Sequence, residues 1–183
     1  YHGKGYYHDW EDGFLYEGEF KDGEFHGQGV YDYTDLDEKY EGEFKNGLKH
    51  GFGKYIFGPN SENPGDLIEG KFKNNKLIEG THTFSDGLVY QGKFKKGKPH
   101  GKGLLIYPNG DQLKANFKDG DLHGTVITIY ANGDRQEAEY KFNKKNGKVT
   151  FYFNNGDVLE NIYKDDTPID KQFITRADGT KYE

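Results

Sequence analysis

The sequence predicts an all-β fold: an elongated single-layer repeat array of antiparallel β-hairpins, period about 23 residues, curled or twisted into a rod. Three observations predict it. A glycine-rich phrase recurs along the chain, polar and apolar residues alternate with a period of two inside it, and Asp-Gly or Asn-Gly pairs return at fixed offsets.

The phrase is clearest as YEGEFKDGEFHGQG from Tyr16, YEGEFKNGLKHGFG from Tyr40 and YQGKFKKGKPHGKG from Tyr90. Units begin at Tyr16, Tyr40, Ile68, Tyr90, Leu113, Gln136 and Leu159. A partial unit covers 1–15 and a truncated one opens at Tyr182, so residues 1–183 read as a single array. Both ends fall inside a unit, which predicts a piece of something longer or an end-to-end assembly through unpaired edges. The polar insertions DYTDLDEK and GPNSENPGDL lengthen the two early units that precede Tyr40 and Ile68.

Alternation assigns the strands. Tyr16, Gly18 and Phe20 share one face, with Glu17 and Glu19 on the other. After a short turn Gly27, Gly29 and Tyr31 form the next set, matched by Gly51, Gly53, Tyr55 and by Gly101, Gly103, Leu105, Tyr107. Two turn series join the strands. Between units stand Gly13, Gly65, Gly87, Gly110, Gly133, Gly156 and Gly179, most of them after Asp or Asn, a pairing that favours primed hairpin turns. Within units, Gly23, Gly47, Asn75, Gly97, Gly120, Asn143 and Asp166 hold one position that requires positive φ. From Leu113 onward Ala115, Ala138 and Asn161 replace the first glycine, while Val126, Val149 and Gln172 replace that of Gly29.

Composition supports order without a thick core. Leu, Ile, Val and Phe total only 39 residues, yet 15 Tyr, 14 Phe and 27 Gly exclude a solvated coil. No Cys is present, which excludes thiolate metal sites and disulfides and fits a reducing, cytoplasmic setting. No apolar run is long enough to span a bilayer as a helix. The net charge of −6 argues against nucleic acid. It divides into −9 over 1–67, +6 over 68–118 and −3 over 119–183, leaving a basic middle third that contains Lys93, Lys95, Lys96, Lys98 and Lys102.

No catalytic constellation emerges, so the sequence reads as non-enzymatic and without a cofactor. Glu17/Glu19 and Glu41/Glu43 alternate onto the solvent face, and neither Ser61 nor Ser85 lies in a nucleophile elbow. His2, His26, His50, His100 and His123 are equivalent positions about 9–10 Å apart, too far to share a metal, and are expected to hydrogen-bond a neighbouring strand or turn. Lys21, Lys45, Lys73, Lys95, Lys118, Lys141 and Lys164 close the first strand of each unit, either as solvated turn lysines or as a basic ladder for anionic lipid. The best candidate surface is an aromatic-glycine trough lined by Tyr16, Phe20, Tyr31, Tyr40, Phe44, Tyr55, Phe72, Tyr90, Phe94 and Tyr107, able to take an extended or helical peptide.

Tyr-x-Gly-x-Phe, Lys-x-Gly and His-Gly-x-Gly at this period resemble the MORN (membrane occupation and recognition nexus) repeat family. The resemblance is strongest at 16–33, 40–57 and 90–110 and implies a curled single-layer sheet. It further implies a scaffold that binds a protein or peptide partner, or a homodimer, in a cytoskeletal, axonemal or ciliary assembly. Two other roles known in the family are a phospholipid-associating adaptor and the regulatory array of a larger enzyme.

Overall fold

The computed structural model describes residues 1–170 and 172–183, and every regular element among them is a β-strand. The chain divides into two compact units, Tyr1–Gly97 and Lys98–Glu183. The first holds β1 (Gly3–Asp9), β2 (Phe14–Lys21), β3 (Glu24–Tyr33), β4 (Glu38–Lys45), β5 (Leu48–Ile56), β6 (Leu67–Lys73), β7 (Lys76–Thr83) and β8 (Val89–Lys95). The second holds β9 (Lys98–Ile106), β10 (Gln112–Lys118), β11 (Asp121–Ile129), β12 (Arg135–Lys141), β13 (Lys144–Tyr152) and β14 (Val158–Lys164), then the short β15 (Thr167–Pro168), β16 (Phe173–Thr175) and β17 (Lys181–Tyr182). Within each unit, strands as far as β15 pair antiparallel with their neighbours in sequence, while β16 pairs with β14 and β17.

Register carries the repeat across the first unit. Gly5 pairs with Gly18, then Gly29, Gly42, Gly53, Gly70, Gly80 and Gly92 follow, each opposite the last. One row of glycines therefore crosses eight strands at right angles to them. In the second unit the corresponding row reads Gly103 opposite Ala115, then Val126, Ala138, Val149 and Asn161, with Val126–Ala138, Ala138–Val149 and Val149–Asn161 paired.

The second glycine of the phrase departs from simple alternation. Gly27 and Gly51 lie at φ 60 and 58, where the register slips between Gly18 and Glu19 and between Gly42 and Phe44. Each is an extra residue in a β-bulge rather than a member of the Gly29 face. A side chain at Gly27 would strike the Glu19 carboxylate, and one at Gly51 the Glu43 carboxylate. Those two glutamates do not simply extend into solvent. Glu19 accepts the Gln28 N–H at 3.2 Å and Glu43 the Phe52 N–H at 2.9 Å, satisfying donors that the bulge removes from the ladder.

The two turn series differ. Within units both central residues have positive φ: Asp22/Gly23, Asn46/Gly47, Asn74/Asn75, Lys96/Gly97, Asp119/Gly120, Phe142/Asn143 and Asp165/Asp166. These are type I′ turns, whose twist matches the strands. Between units the expected primed turns are replaced by another form. At Gly87, Gly110, Gly133, Gly156 and Gly179 only the glycine has positive φ. Its N–H returns to the carbonyl three residues earlier, as from Gly110 to Tyr107 at 2.9 Å. This is a type I turn closed by a left-handed glycine. The preceding Asx explains the change: the Asn109, Asn132 and Asn155 side chains accept the N–H two residues on, which holds them out of the left-handed region.

Polar ladders tie the turns of neighbouring hairpins together. Asp66, Asp111, Asp134 and Asp157 accept the N–H groups of Ser85, Ala131, Asn154 and Ala177 respectively, at 2.8–3.0 Å. At the other turns Asn75, Asn143 and Asp166 accept the N–H groups of Lys49, Leu122 and Lys145 at 2.7–2.8 Å. Where glycine is lost from that position, its replacement keeps the left-handed backbone and adds a hydrogen bond.

Candidate docking surface

The predicted trough lines up on one face of the sheet, but most of it is filled. Tyr16, Tyr40 and Tyr90 are at most 1% exposed. The Tyr16 hydroxyl lies so close to Gly18 and Gly29 that a Cβ at either would fall 2.4 Å from it. Tyr40 covers Gly42 and Gly53 in the same way. Each hydroxyl donates to the carbonyl three residues on: Tyr16 to Glu19 at 2.9 Å, Tyr40 to Glu43 at 3.2 Å and Tyr90 to Lys93 at 3.0 Å. The glycines thus make room for tyrosine rings, and the rings fill that room.

Neighbouring rings complete this core. Phe25 stacks on Tyr16 with centroids 3.9 Å apart, and Phe44 meets Tyr16 edge-on at 5.1 Å. Phe72 meets Tyr40 edge-on at 5.2 Å. Six of the ten predicted trough residues, Tyr16, Phe20, Tyr40, Phe44, Phe72 and Tyr90, are buried. Tyr31, Tyr55 and Phe94 are half-buried, and Tyr107 is 36% exposed.

The open rings gather toward the turns between units. In the first unit Phe14 stacks on Tyr31 at 4.6 Å, Tyr31 meets Tyr33 at 4.5 Å and Tyr55 meets Phe57 at 4.7 Å. His82 stacks on Phe84 at 3.9 Å and hydrogen-bonds the buried Asp66 carboxylate at 2.6 Å. In the second unit Tyr107 and Tyr130 wall an open groove of about 430 Å³, with Leu113 and Thr128 beneath and Asp111 at the rim. Burial, reinforced by Asp111 and Asp134, raises the Tyr130 pKa, so its hydroxyl is a donor at neutral pH.

Lys49, which the sequence did not single out, stands where Phe25 stands one unit earlier. Its ammonium lies 4.1 Å from the Tyr55 ring centroid, 5.0 Å from that of Tyr33 and 5.1 Å from that of Tyr40. Burial lowers its pKa to about 8, against the opposing pull of Glu38. Glu38 is itself buried and accepts the Tyr55 hydroxyl. A lysine at the position held by Phe25 and Leu77 in the flanking repeats, placed beside three tyrosines, is the signal that could have found this cluster.

Lys93, Lys95 and Lys96 are exposed in the first unit, and Lys98 and Lys102 in the second. All seven strand-ending lysines, Lys21 to Lys164, are exposed. The His2 and His100 rings accept turn N–H groups from Asp22 at 3.1 Å and Asp119 at 3.5 Å, whereas His50 and His123 each bury a ring nitrogen without a protein partner. No group of three or more metal-ligating side chains is assembled among the described residues.

The MORN repeat family matches residues 16–38, 40–62, 90–112 and 137–158. The chain is a MORN-repeat protein. No curated protein matches it. Among solved structures it is similar to the SAS-4 (dCPAP) TCP domain of Drosophila melanogaster, in complex with a proline-rich motif of Ana2 (dSTIL). That likeness has 13% identity and a TM-score of 0.54, covering 85% of this chain and 82% of that one. The TCP10 domain of Danio rerio CPAP, in complex with a STIL peptide, aligns with 15% identity and a TM-score of 0.47, over 94% and 78%. The first of these likenesses shows the fold. The intervening stretches 63–89 and 113–136 lie outside the matched MORN repeats but continue the same hairpin succession.

Proposed function

We propose that this MORN-repeat chain is a non-catalytic scaffold that docks an extended segment of a protein partner on its open aromatic rings. The observation that carries this reading is the groove between Tyr107 and Tyr130, with aromatic walls and Leu113 as floor. Flat rings beside a shallow apolar floor fit prolyl or aliphatic side chains, and a phenol can donate to a backbone carbonyl. Support also comes from the structural neighbour captured with a proline-rich motif. The setting we propose is cytoskeletal or ciliary, consistent with the family resemblance.

The test is a pull-down with the intact chain, read by mass spectrometry. Partners retained by wild type are expected to be lost from Tyr107→Ser with Tyr130→Ser, and kept by Lys95→Glu with Lys96→Glu. Undiminished capture by the aromatic variant would remove this reading. Sedimentation with phosphatidylserine vesicles that is abolished by the lysine variant would put an anionic-lipid adaptor in its place.

A further inference from the structure

The face of the first unit opposite the tyrosine core carries a second, chemically different groove. Its floor is the backbone of the glycine row: a side chain at Gly18, Gly29, Gly42 or Gly53 would point toward the tyrosines, and one at Gly5 toward Phe20. An open cavity of about 750 Å³ crosses β1 to β4, and another of about 410 Å³ continues it over β3 to β6. One wall places a carboxylate on every second strand: Glu17 on β2, Glu41 on β4 and Glu69 on β6. The exposed rings of Tyr6 and Phe52 supply apolar contact area along it.

Two of these carboxylates already hold cations: Lys39 lies 2.7 Å from Glu41 and Lys54 lies 3.6 Å from Glu69. Both pairs are solvent-exposed, weak and exchangeable. Glu17 has no cation within ion-pair distance among the described residues, and residues 1–67 carry a charge of −9. The carboxylates recur every two strands, which is about 9.6 Å. A polyproline II helix advances about 9.3 Å in its three-residue turn. A segment in that conformation, laid across the strands, would return a side chain to the acidic wall once per hairpin.

We infer that this groove binds a basic, polyproline II segment of a protein partner with a cationic residue at every third position. The cationic side chains meet Glu17, Glu41 and Glu69, and the residues between them rest on the glycine floor and on the Tyr6 and Phe52 rings. The glycines allow a foreign backbone to approach closely. This inference rests on the scaffold reading only in assigning a protein partner. It uses a different unit from the Tyr107 groove.

The experiment is fluorescence anisotropy of the full chain with a labelled tetramer of Arg-Pro-Pro. The control is a peptide of the same composition whose arginines are clustered at one end. The regular peptide is expected to bind more tightly than the clustered one. Its affinity should fall about tenfold or more in Glu17→Gln/Glu41→Gln/Glu69→Gln and should weaken as salt is raised. All three glutamates face solvent, and a circular-dichroism melt verifies that the variant is folded. Tyr107→Ser/Tyr130→Ser should leave the affinity unchanged, so a failure of the aromatic groove is read separately. Equal affinity for the two peptides, unchanged affinity in the glutamine variant, or no binding of the regular peptide would overturn the inference.

Discussion

The two units solve one packing problem in two ways. In the first, Tyr16 and Tyr40 lie across glycine pairs, and the side-chain volume comes from a ring reaching over from the neighbouring position. In the second, the tyrosine position holds Leu113, Gln136 or Leu159, and the row itself supplies the volume through Ala115, Val126, Ala138 and Val149. Val126 is 1% exposed and Ala138 is 2%, as well buried as the tyrosines. At Gly29 and Gly53 the difference teaches that glycine and tyrosine pack as one unit, since a Cβ there excludes the ring. At Gly70 and Gly80, beside Ile68, it is instead the facing backbone that leaves no room for a Cβ.

The sharpest way to break this comparison is Gly53→Val, which forces a Cβ to within 2.3 Å of the Tyr40 hydroxyl. A loss of about 3 kcal/mol or more is expected in urea unfolding of the first unit. Adding Tyr40→Leu, the solution used by the second unit, should return part of that loss. A double variant whose effects simply add would sever the link between the two positions.

A smaller effect separates the units by pH. Lys49 has its folded pKa lowered to about 8 by burial, while the unfolded chain retains an ordinary lysine near 10.4. Below pH 8 both states are protonated, and the buried ammonium costs stability. Between about pH 8 and 10 the unfolded chain binds more protons, so stability rises with pH, on the order of 1–2 kcal/mol. Above about pH 10 the sign reverses: burial pushes Tyr16 up to about 12 and raises Tyr40 as well, so the unfolded tyrosines ionise first. Thermal melts should therefore show a maximum between these limits, and Lys49→Met should flatten the rising limb. An unchanged limb in that variant would assign the rise elsewhere. The smallest effect is that of Tyr40→Phe, which keeps the ring over Gly53 but removes the bond to Glu43; a loss of about 1 kcal/mol in denaturant is expected.

Much of the fold was legible because backbone demands recur at fixed offsets. The positions of Gly23, Gly47 and Asn75 all take positive φ, even where glycine has been replaced. Alternation also placed Tyr16, Gly18 and Phe20 on one face. It could not show that the tyrosine lies flat and closes the space the glycines open, since a period-two pattern gives direction but not tilt. The bulge at Gly27 was hidden for a related reason: extra residues leave no mark in a His-Gly-x-Gly string until its partner strand is known. The aspartate ladder from Asp66 to Asp157 joins residues about one unit apart, and spacing alone cannot distinguish a hydrogen bond there from mere repetition.

Pairing that, apart from β14 with β16, joins sequence neighbours has a kinetic consequence. A hairpin in either unit needs only the strand beside it to begin, so loop closure stays short and folding can start at any turn and spread outward. Protection from hydrogen exchange should accordingly grade along each unit, strongest at its middle ribbons and weakest at β15 to β17, instead of vanishing in one cooperative step.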